Sequence, residues 1–185
     1  AGLFKKNKVD HFFGEAKFVN NKTIEVNQKK FKADKILIAT GSVPSTIPGI
    51  DIDEKNIVSS TGALEFEKVP KKLAIIGGGY IGLELGSVWK RLGADVTVIE
   101  FSDTLVPTMD KDIAKIFHST LTKQGINFML STKVESAVNK KEKVEIKCLN
   151  LLNNKSDLLG FDKVLIAVGR KPFTQDLGLE NLNVN

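Results

Sequence analysis

One stretch constrains the fold of this chain more than any other: residues 72–86, which read KLAIIGGGYIGLELG. It places five glycines within ten residues, directly after an unbroken apolar run. Glycine loses more backbone freedom on folding than any other residue, and it weakens both helices and strands. Such a concentration therefore predicts a stretch of backbone that something must approach closely, with no side chains in the way.

The residues around the glycines predict a strand before them and a helix after them. Residues 73–77 form a continuous apolar run, as in a buried strand, and residues 79–92 have helical spacing. Gly93 is placed to end that helix, and residues 94–100 (ADVTVIE) predict a second strand. The predicted buried face of the helix consists of Ile81, Leu85, Val88 and Leu92.

The glycines have the G-x-G-x-x-G spacing of a dinucleotide-binding turn. Gly77 would allow the tight turn, Gly79 would let the backbone approach a pyrophosphate, and Gly82 would let helix and strand pack closely. An anion at this position binds the unpaired N–H groups of the helix N-terminus and is favoured by the helix dipole. The alternative is a glycine-rich turn that binds nothing; the matching strand and helix favour a dinucleotide site.

A glutamate follows the glycines at the sequence spacing that is typical of dinucleotide-binding sites. Glu100 ends the second predicted strand, 23 residues after Gly77 and 18 after Gly82. A carboxylate there accepts hydrogen bonds from the adenosine ribose hydroxyls and repels a 2′-phosphate. Residues 101–106 contain no Lys or Arg that would neutralise such a phosphate. The sequence therefore predicts NAD(H) rather than NADP(H).

The rest of the chain predicts an α/β fold. Residues 8–38 predict a β-meander with turns at NNK and NQKK, and residues 110–124 predict a second amphipathic helix. INFML, TKVESAV, KVEIKCLNLL and DKVLIAVG then follow as predicted strands. Alternating strands and helices indicate a Rossmann-like parallel sheet, and the three short strands before the last one indicate a small antiparallel excursion.

Two similar segments predict where the chain leaves a lobe. ILIATGSVP (36–44) and VLIAVGRKP (164–172) each run from an apolar strand into glycine and then proline. The Pro- and Gly-rich loop after the first of them is typical of a crossing between domains. We therefore interpret the two segments as paired exit strands, each of which carries the chain out of one lobe.

Composition argues against several other classes of function. The net charge is +5, but the 27 basic residues include only Arg91 and Arg170 as arginines, which disfavours nucleic-acid readout. No apolar run is long enough to predict a membrane span. The single cysteine, Cys148, excludes an internal disulfide and a multi-cysteine metal site. His11 and His118 stand alone, in strand-like and helix-like segments, so we expect neither a catalytic nor a metal-binding role.

Together, GGGYIGLELG, ATGSVP, VLIAVGRKP and Glu100 resemble the flavoprotein disulfide reductases that bind two dinucleotides, above all the dihydrolipoamide dehydrogenase family. That resemblance covers essentially the whole chain. It implies that residues 1–50 are part of an FAD-binding domain, that residues 51–170 are an inserted NAD-binding domain, and that residues 171–185 are a segment that returns toward the flavin.

The resemblance also implies cofactor-binding residues. On the NAD side these are Gly77, Gly78, Gly79, Tyr80, Ile81, Gly82, Leu83, Glu84, Glu100, Val134 beside the adenine, and Gly169 near the nicotinamide. On the FAD side they are Gly14, Thr40, Gly41 and Ser42. Glu84 would lie near the junction of flavin and nicotinamide, with a solvated helix carboxylate as the alternative.

The resemblance implies oxidation of dihydrolipoamide by NAD+ through FAD and a redox disulfide, in a homodimer serving a lipoyl-bearing 2-oxo acid dehydrogenase complex. This chain has neither the cysteine pair, the first glycine fingerprint nor the His–Glu base, so we expect a central fragment with no catalytic residue of its own. The expected location is the bacterial cytoplasm or the mitochondrial matrix. A mercuric or coenzyme A disulfide reductase and a stand-alone NAD-binding module remain alternatives.

Overall fold

The computed structural model describes residues 2–141 and 143–182. The strands are β1 Ala16–Asn20, β2 Thr23–Val26, β3 Lys29–Lys32, β4 Ser42–Pro44, β5 Ile57–Val58, β6 Lys72–Ile76, β7 Asp95–Ile99, β8 Asn127–Met129, β9 Thr132–Lys140, β10 Lys143–Asn150, β11 Ser156–Phe161, β12 Lys163–Ile166 and β13 Arg170–Pro172. The helices are α1 Gly2–Lys6, α2 Ser60–Leu64, α3 Tyr80–Arg91 and α4 Lys111–Lys123, with a 3₁₀ turn at Leu179–Asn181.

The chain divides into two units, one made of residues 1–43 and 172–185, the other of residues 44–171. The division predicted from the sequence, at residues 50 and 170, stays a prediction. In the smaller unit β1, β2 and β3 form an antiparallel meander, as predicted. The C-terminal segment lies beside it, because the N–H of Phe18 donates to the carbonyl of Leu177 at 2.7 Å.

The larger unit is built on a parallel sheet with the strand order β5-β12-β6-β7-β8. Its central strands are buried on both faces, which explains their unbroken apolar sequences. Side chains of a strand alternate between faces, so Leu73 and Ile75 of β6 pack toward the helices. Ala74 and Ile76 pack on the other face, in a core shared with the antiparallel sheet β9-β10-β11.

Helix α3 buries a different face from the one predicted. The fully buried positions are Gly82, Leu83, Gly86 and Trp89, whereas Val88 and Leu92 of the predicted face are exposed. The glycines cause the difference, because they let the helix axis approach the sheet: a Cβ atom at Gly86 would lie 2.7 Å from Cδ1 of Ile75. The prediction considered only large apolar residues, so it did not identify a buried face that contains two glycines.

Three strand predictions need correction. INFML contributes β8 to the parallel sheet, and the third strand of the antiparallel sheet is β11, within a segment that the sequence analysis left unassigned. Residues 36–39 of the predicted exit strand form no strand, and Leu37 is 88% exposed. Residues 8–15, including His11, are also outside any strand. An apolar run becomes a strand only where a neighbouring edge pairs with it.

Helix α4 begins and ends close to the prediction. The Asp110 side chain caps it by accepting from the N–H groups of Asp112 and Ile113, and Gln124 is its C-cap. Among the described residues, no helix combines the length and apolar character needed to cross a membrane. The predicted fold class, an α/β fold with a Rossmann-like parallel sheet, an antiparallel excursion and a further β-rich part, is confirmed.

Candidate functional site

A cleft of about 530 Å³ opens in the larger unit where the central parallel strands β6, β7 and β12 end. This size lies in the usual range for small-molecule sites. In open α/β sheets, ligands bind outside the carboxyl ends of the strands. The last residues of the three strands, Ile76, Ile99 and Ile166, all line it.

Gly77 and Gly82 shape the turn that forms one wall of this cleft. Gly77 adopts φ = +110°, and its N–H donates to the carbonyl of Ile99 at 2.9 Å. A Cβ atom on Gly77 would collide with the carbonyl oxygen of Ala167, and one on Gly82 with that of Gly77. Only glycine fits at these two positions, since the obstacles are backbone atoms that cannot turn aside.

Gly78 is held from both sides. Its N–H donates to Oε2 of Glu100 at 2.5 Å, and its carbonyl accepts from the N–H of Val106 at 3.0 Å. A Cβ atom there would lie 2.8 Å from Cδ2 of Leu105 and 3.1 Å from Oε2 of Glu100. Both backbone groups of Gly78, its N–H and its carbonyl, are therefore hydrogen-bonded within the protein, which fixes the orientation of the peptide groups in the middle of the turn.

Gly79 differs, because a Cβ atom built on it would meet nothing within 4 Å. Gly79 lines the cleft and is the N-cap of α3. The hydrogen bonds found among the described residues include none donated by the N–H groups of Gly79, Tyr80 or Ile81. An open glycine beside free N–H groups at a helix N-terminus fits a diphosphate.

Glu100 lies in the same cleft, and each of its two carboxylate oxygens accepts one hydrogen bond from the backbone. Oε2 accepts from Gly78, and Oε1 accepts from the N–H of Ser102 at 2.8 Å. An ionised carboxylate offers about four lone-pair sites, so about two remain for hydroxyl donors. The backbone of Glu100 is fixed as well, by bonds of 2.9 Å to Met129 and Thr132.

The structure brings most of the predicted NAD residues together. The cleft lining includes Gly77, Gly79, Tyr80, Ile81, Glu100, Val134 and Gly169. The remaining predicted residues lie outside the lining: Gly78 is covered by Glu100 and Leu105, and Gly82 and Leu83 lie on the buried face of α3. Glu84 is exposed on the outer side of the helix.

The predicted FAD residues all belong to the smaller unit. Gly14 has φ = +153°, and a Cβ atom there would lie 2.6 Å from Oδ1 of Asn27. The hydroxyl of Thr40 donates to the carbonyl of Phe173 at 2.5 Å, and the N–H of Phe173 donates to the carbonyl of Gly41 at 3.0 Å. Ser42 begins β4. Their role toward a flavin stays a prediction.

Sequence reasoning missed several residues of the cleft. They include Phe101, Val106–Met109, Thr132, Lys133 and Arg170. Val106 is buried with φ = +40°, a conformation that a β-branched residue rarely adopts. The rule that ligands bind at the carboxyl ends of parallel strands would have found the strand ends. No local signal links Lys133 to Glu100, because they are distant in sequence.

The described residues supply no redox or metal centre. Burial, and after it the charges of Asp157 and Glu135, raise the pKa of the Cys148 thiol to about 11. The ring of His11 stacks on Phe4, and His118 packs edge-on against Phe128 at 4.7 Å. No group of metal-ligating side chains occurs in the described ranges. Cys148, His11 and His118 are not among the residues that line the cleft.

Comparison with known proteins agrees with this geometry. The sequence profile of the pyridine nucleotide-disulphide oxidoreductases matches residues 1–185. The mitochondrial dihydrolipoyl dehydrogenase of Schizosaccharomyces pombe is 47% identical over 189 residues, which cover 99% of this chain and 37% of that protein. The leghemoglobin reductase of Vigna unguiculata is 47% identical over 188 residues, covering 99% of this chain and 36% of that protein.

A solved structure shares the fold. The HOCl-induced flavoprotein disulfide reductase RclA from Escherichia coli aligns with a TM-score of 0.82 and 31% identity, covering 99% of this chain and 43% of that chain. The chain thus spans little more than a third of the length of the curated relatives reported above. The resemblance noted in the sequence is confirmed over its whole extent. The chain belongs to the pyridine nucleotide-disulphide oxidoreductases.

Proposed function

We propose that residues 44–171 bind NAD(H) in the cleft, as the nicotinamide-nucleotide part of a dihydrolipoamide dehydrogenase whose cofactors are NAD and FAD. One observation carries the binding proposal: free N–H groups at Gly79–Ile81 and the carboxylate of Glu100 line the same cleft. The first group suits a diphosphate and the second suits a ribose. The mostly apolar lining suits the flat rings of the dinucleotide.

The strand order supports an orientation for the dinucleotide. Glu100 and Val134 lie on the β7 side of the glycine turn, and Gly169 follows β12 on its other side. The adenosine half then lies toward β7 and β9, with its ribose hydroxyls donating to Glu100. The nicotinamide half lies toward Gly169, and the diphosphate between them accepts from the N-terminus of α3.

Glu100 supports a preference for NAD(H) over NADP(H). Its Oε1 and Oε2 atoms are fixed by Ser102 and Gly78, so the carboxylate cannot swing aside without breaking both bonds. A 2′-phosphate would be placed against this fixed negative charge. Charge repulsion in a partly buried cleft costs more than it does in open water.

The reaction proposed for the intact protein is oxidation of dihydrolipoamide by NAD+. The dithiol becomes a disulfide and gives up two electrons and two protons; the electrons leave with one proton as hydride, and the other proton passes to solvent. FAD and NAD, when bound, supply the redox chemistry. This chain contributes positioning: the glycine turn holds the diphosphate, Glu100 holds the ribose, and the apolar walls exclude water. Gly14, Thr40, Gly41 and Ser42 are proposed to contact FAD.

The relatives support the finer assignments. Several dihydrolipoyl dehydrogenases among them are named mitochondrial, which favours the mitochondrial matrix over the bacterial cytoplasm. A homodimer and a lipoyl-bearing 2-oxo acid dehydrogenase complex are the proposed partners. The dihydrolipoyl dehydrogenase of Schizosaccharomyces pombe and the leghemoglobin reductase of Vigna unguiculata are each 47% identical to this chain, against 31% for RclA, which favours this reading over an RclA-type reductase.

Calorimetric titration of the protein with NADH and NADPH tests the proposal. We expect saturable binding of NADH and at least tenfold weaker binding of NADPH, since each 1.4 kcal/mol of repulsion is about tenfold in affinity. Equal affinities would contradict the assignment of Glu100 to the ribose. Absence of NADH binding would contradict the function itself.

A further inference from the structure

Three charged residues are found among the described residues that line the cleft: Glu100, Lys133 and Arg170. The proposed function uses only the carboxylate. The two cations lie at different ends. Arg170 follows β12, which is two strands away from β7 in the sheet, a separation of about 10 Å at the usual strand spacing. Arg170 is therefore on the Gly169 side.

Lys133 is on the Glu100 side. The N–H of Thr132 donates to the backbone carbonyl of Glu100 at 2.9 Å, and Lys133 is the next residue along β9. Val134, the next residue, also lines the cleft, and because side chains alternate along a strand, Lys133 points to the opposite face of β9 and approaches the cleft from its outer side. A lysine side chain is long and flexible, so its ammonium group can reach the space beside a ribose held by Glu100.

The charge of Lys133 is not committed to a close ion pair. The salt bridges among the described residues do not include it, and its side chain is exposed. Glu135, two residues further along β9, is a competing carboxylate, and it forms a salt bridge with Lys147 at 2.8 Å. Lys147 is the main cause of the lowered pKa of Glu135, and Lys133 makes only the smallest contribution.

We propose that Lys133 is a second determinant of dinucleotide choice: a cation that attracts a 2′-phosphate and whose effect Glu100 opposes. The proposal rests on the proposed NAD(H) site. Dinucleotide choice is then set by a pair of opposite charges on neighbouring strands. Removing Glu100 alone leaves a site that favours NADPH, and removing Lys133 alone sharpens the preference for NADH.

A double-mutant cycle tests this assignment. Kd for NADH and for NADPH is measured by calorimetry on the wild-type protein, Lys133→Gln, Glu100→Gln and the double variant, at low and high salt. The matched control is Lys143→Gln, a similarly exposed lysine on β10 that does not line the cleft. Circular dichroism melting of each variant establishes that it is folded.

We expect Lys133→Gln to weaken NADPH binding roughly threefold to tenfold in the Glu100→Gln background, the range for one solvent-exposed charge acting on a doubly charged phosphate. NADH binding should change less than twofold, and high salt should reduce the NADPH effect. Lys143→Gln should bind NADH and NADPH with the same Kd values as the protein into which it is introduced.

Equal effects of Lys133→Gln on NADH and NADPH, or no effect on either, would overturn the proposal while leaving the NAD(H) site intact. Failure of the wild-type protein to bind NADH would instead overturn the proposed function, and this inference with it. The two failures are distinguished by the wild-type NADH titration alone.

Discussion

Oε2 of Glu100 accepts a hydrogen bond from the N–H of Gly78 at 2.5 Å, while Oε1 accepts from Ser102 at 2.8 Å. The residue proposed to hold the ribose is thus also a brace for the turn proposed to hold the diphosphate. Because β6 and β7 are adjacent and parallel, the glycine turn and Glu100 follow neighbouring strand ends. Binding and stability are therefore linked at this residue.

Glu100→Ala should lower the free energy of unfolding by about 1–3 kcal/mol, because two charge-assisted hydrogen bonds in a partly buried place are lost. Urea denaturation measures this change. Asp103→Ala is the matched control, since Asp103 is an exposed carboxylate in the same loop, and it should change stability by less than about 0.5 kcal/mol. Equal effects of the two substitutions would refute the bracing role.

Two glycine substitutions should separate binding from folding. Gly82→Ala places a methyl group against the carbonyl of Gly77 and 3.0 Å from Cγ2 of Ile75, and should cost about 1–3 kcal/mol of stability. Gly79→Ser points into open space and supplies a good N-cap residue, so stability should be unchanged or slightly higher. Its side chain nevertheless stands where the diphosphate would lie.

Thermal melting measures the effect of each substitution on stability, and titration with NADH measures its effect on binding. We expect Gly79→Ser to weaken NADH binding at least tenfold without lowering Tm, and Gly82→Ala to lower Tm. If Gly79→Ser bound NADH as tightly as the wild-type protein, the diphosphate would have to lie elsewhere.

The sequence was sufficient wherever the structural requirement is local. The turn at Gly77 and the start of α3 were predicted because a strand, a tight turn and a helix follow one another directly along the chain. The buried face of α3 was mispredicted because its key members, Gly82 and Gly86, contribute close approach rather than apolar area. Residues 36–39 look like a strand in sequence, but strand formation depends on a pairing edge that the residues themselves do not encode.

For the cleft too, only the residues whose positions depend on local sequence could be predicted. The position of Glu100 beside the glycine turn could be predicted because Glu100 ends a strand at the usual number of residues after the glycines. Lys133 and Val106 could not, since their positions depend on how β9 and the loop after β7 close over the sheet. Long-range placement of this kind leaves no periodic pattern in the sequence.

Asp53 should make a small, pH-dependent contribution to stability. Burial raises its pKa, but hydrogen bonds from the N–H groups of Lys55, Ile57 and Asn56, and from the side chain of Asn139, outweigh burial and lower the pKa below 3.8. A lowered pKa in the folded state stabilises the protein above the unfolded-state value, and that stabilisation is lost as pH falls below 3.8.

Asp53→Asn should therefore cost up to about 1 kcal/mol at pH 7, a figure discounted because the side chain is exposed, and less near pH 3. Denaturant unfolding at both pH values measures the difference. Asp51→Asn, at an exposed aspartate two residues away, is the control for removing one carboxylate from this loop. A cost at Asp53 that did not shrink in acid would contradict the ionic part of this account.

Cys148 should make stability fall at high pH. Its thiol is buried, and its pKa rises from 9.0 to about 11 in the folded protein. The folded state therefore keeps its proton while the unfolded state loses it, so stability is full below pH 9 and declines between pH 9 and about 11, by up to about 2.5 kcal/mol. Comparing the pH slopes of wild type and Cys148→Ala isolates this effect; parallel slopes would disprove it.

The central claim is that backbone N–H groups at Gly79–Ile81 bind a diphosphate while Glu100 accepts from the adjoining ribose. A crystal structure of the protein with NADH measures this directly. The account predicts diphosphate oxygens within about 3 Å of those nitrogens, and ribose hydroxyls within about 3 Å of the Glu100 carboxylate. NADH found in another cleft, or bound with its ribose out of reach of Glu100, would contradict it.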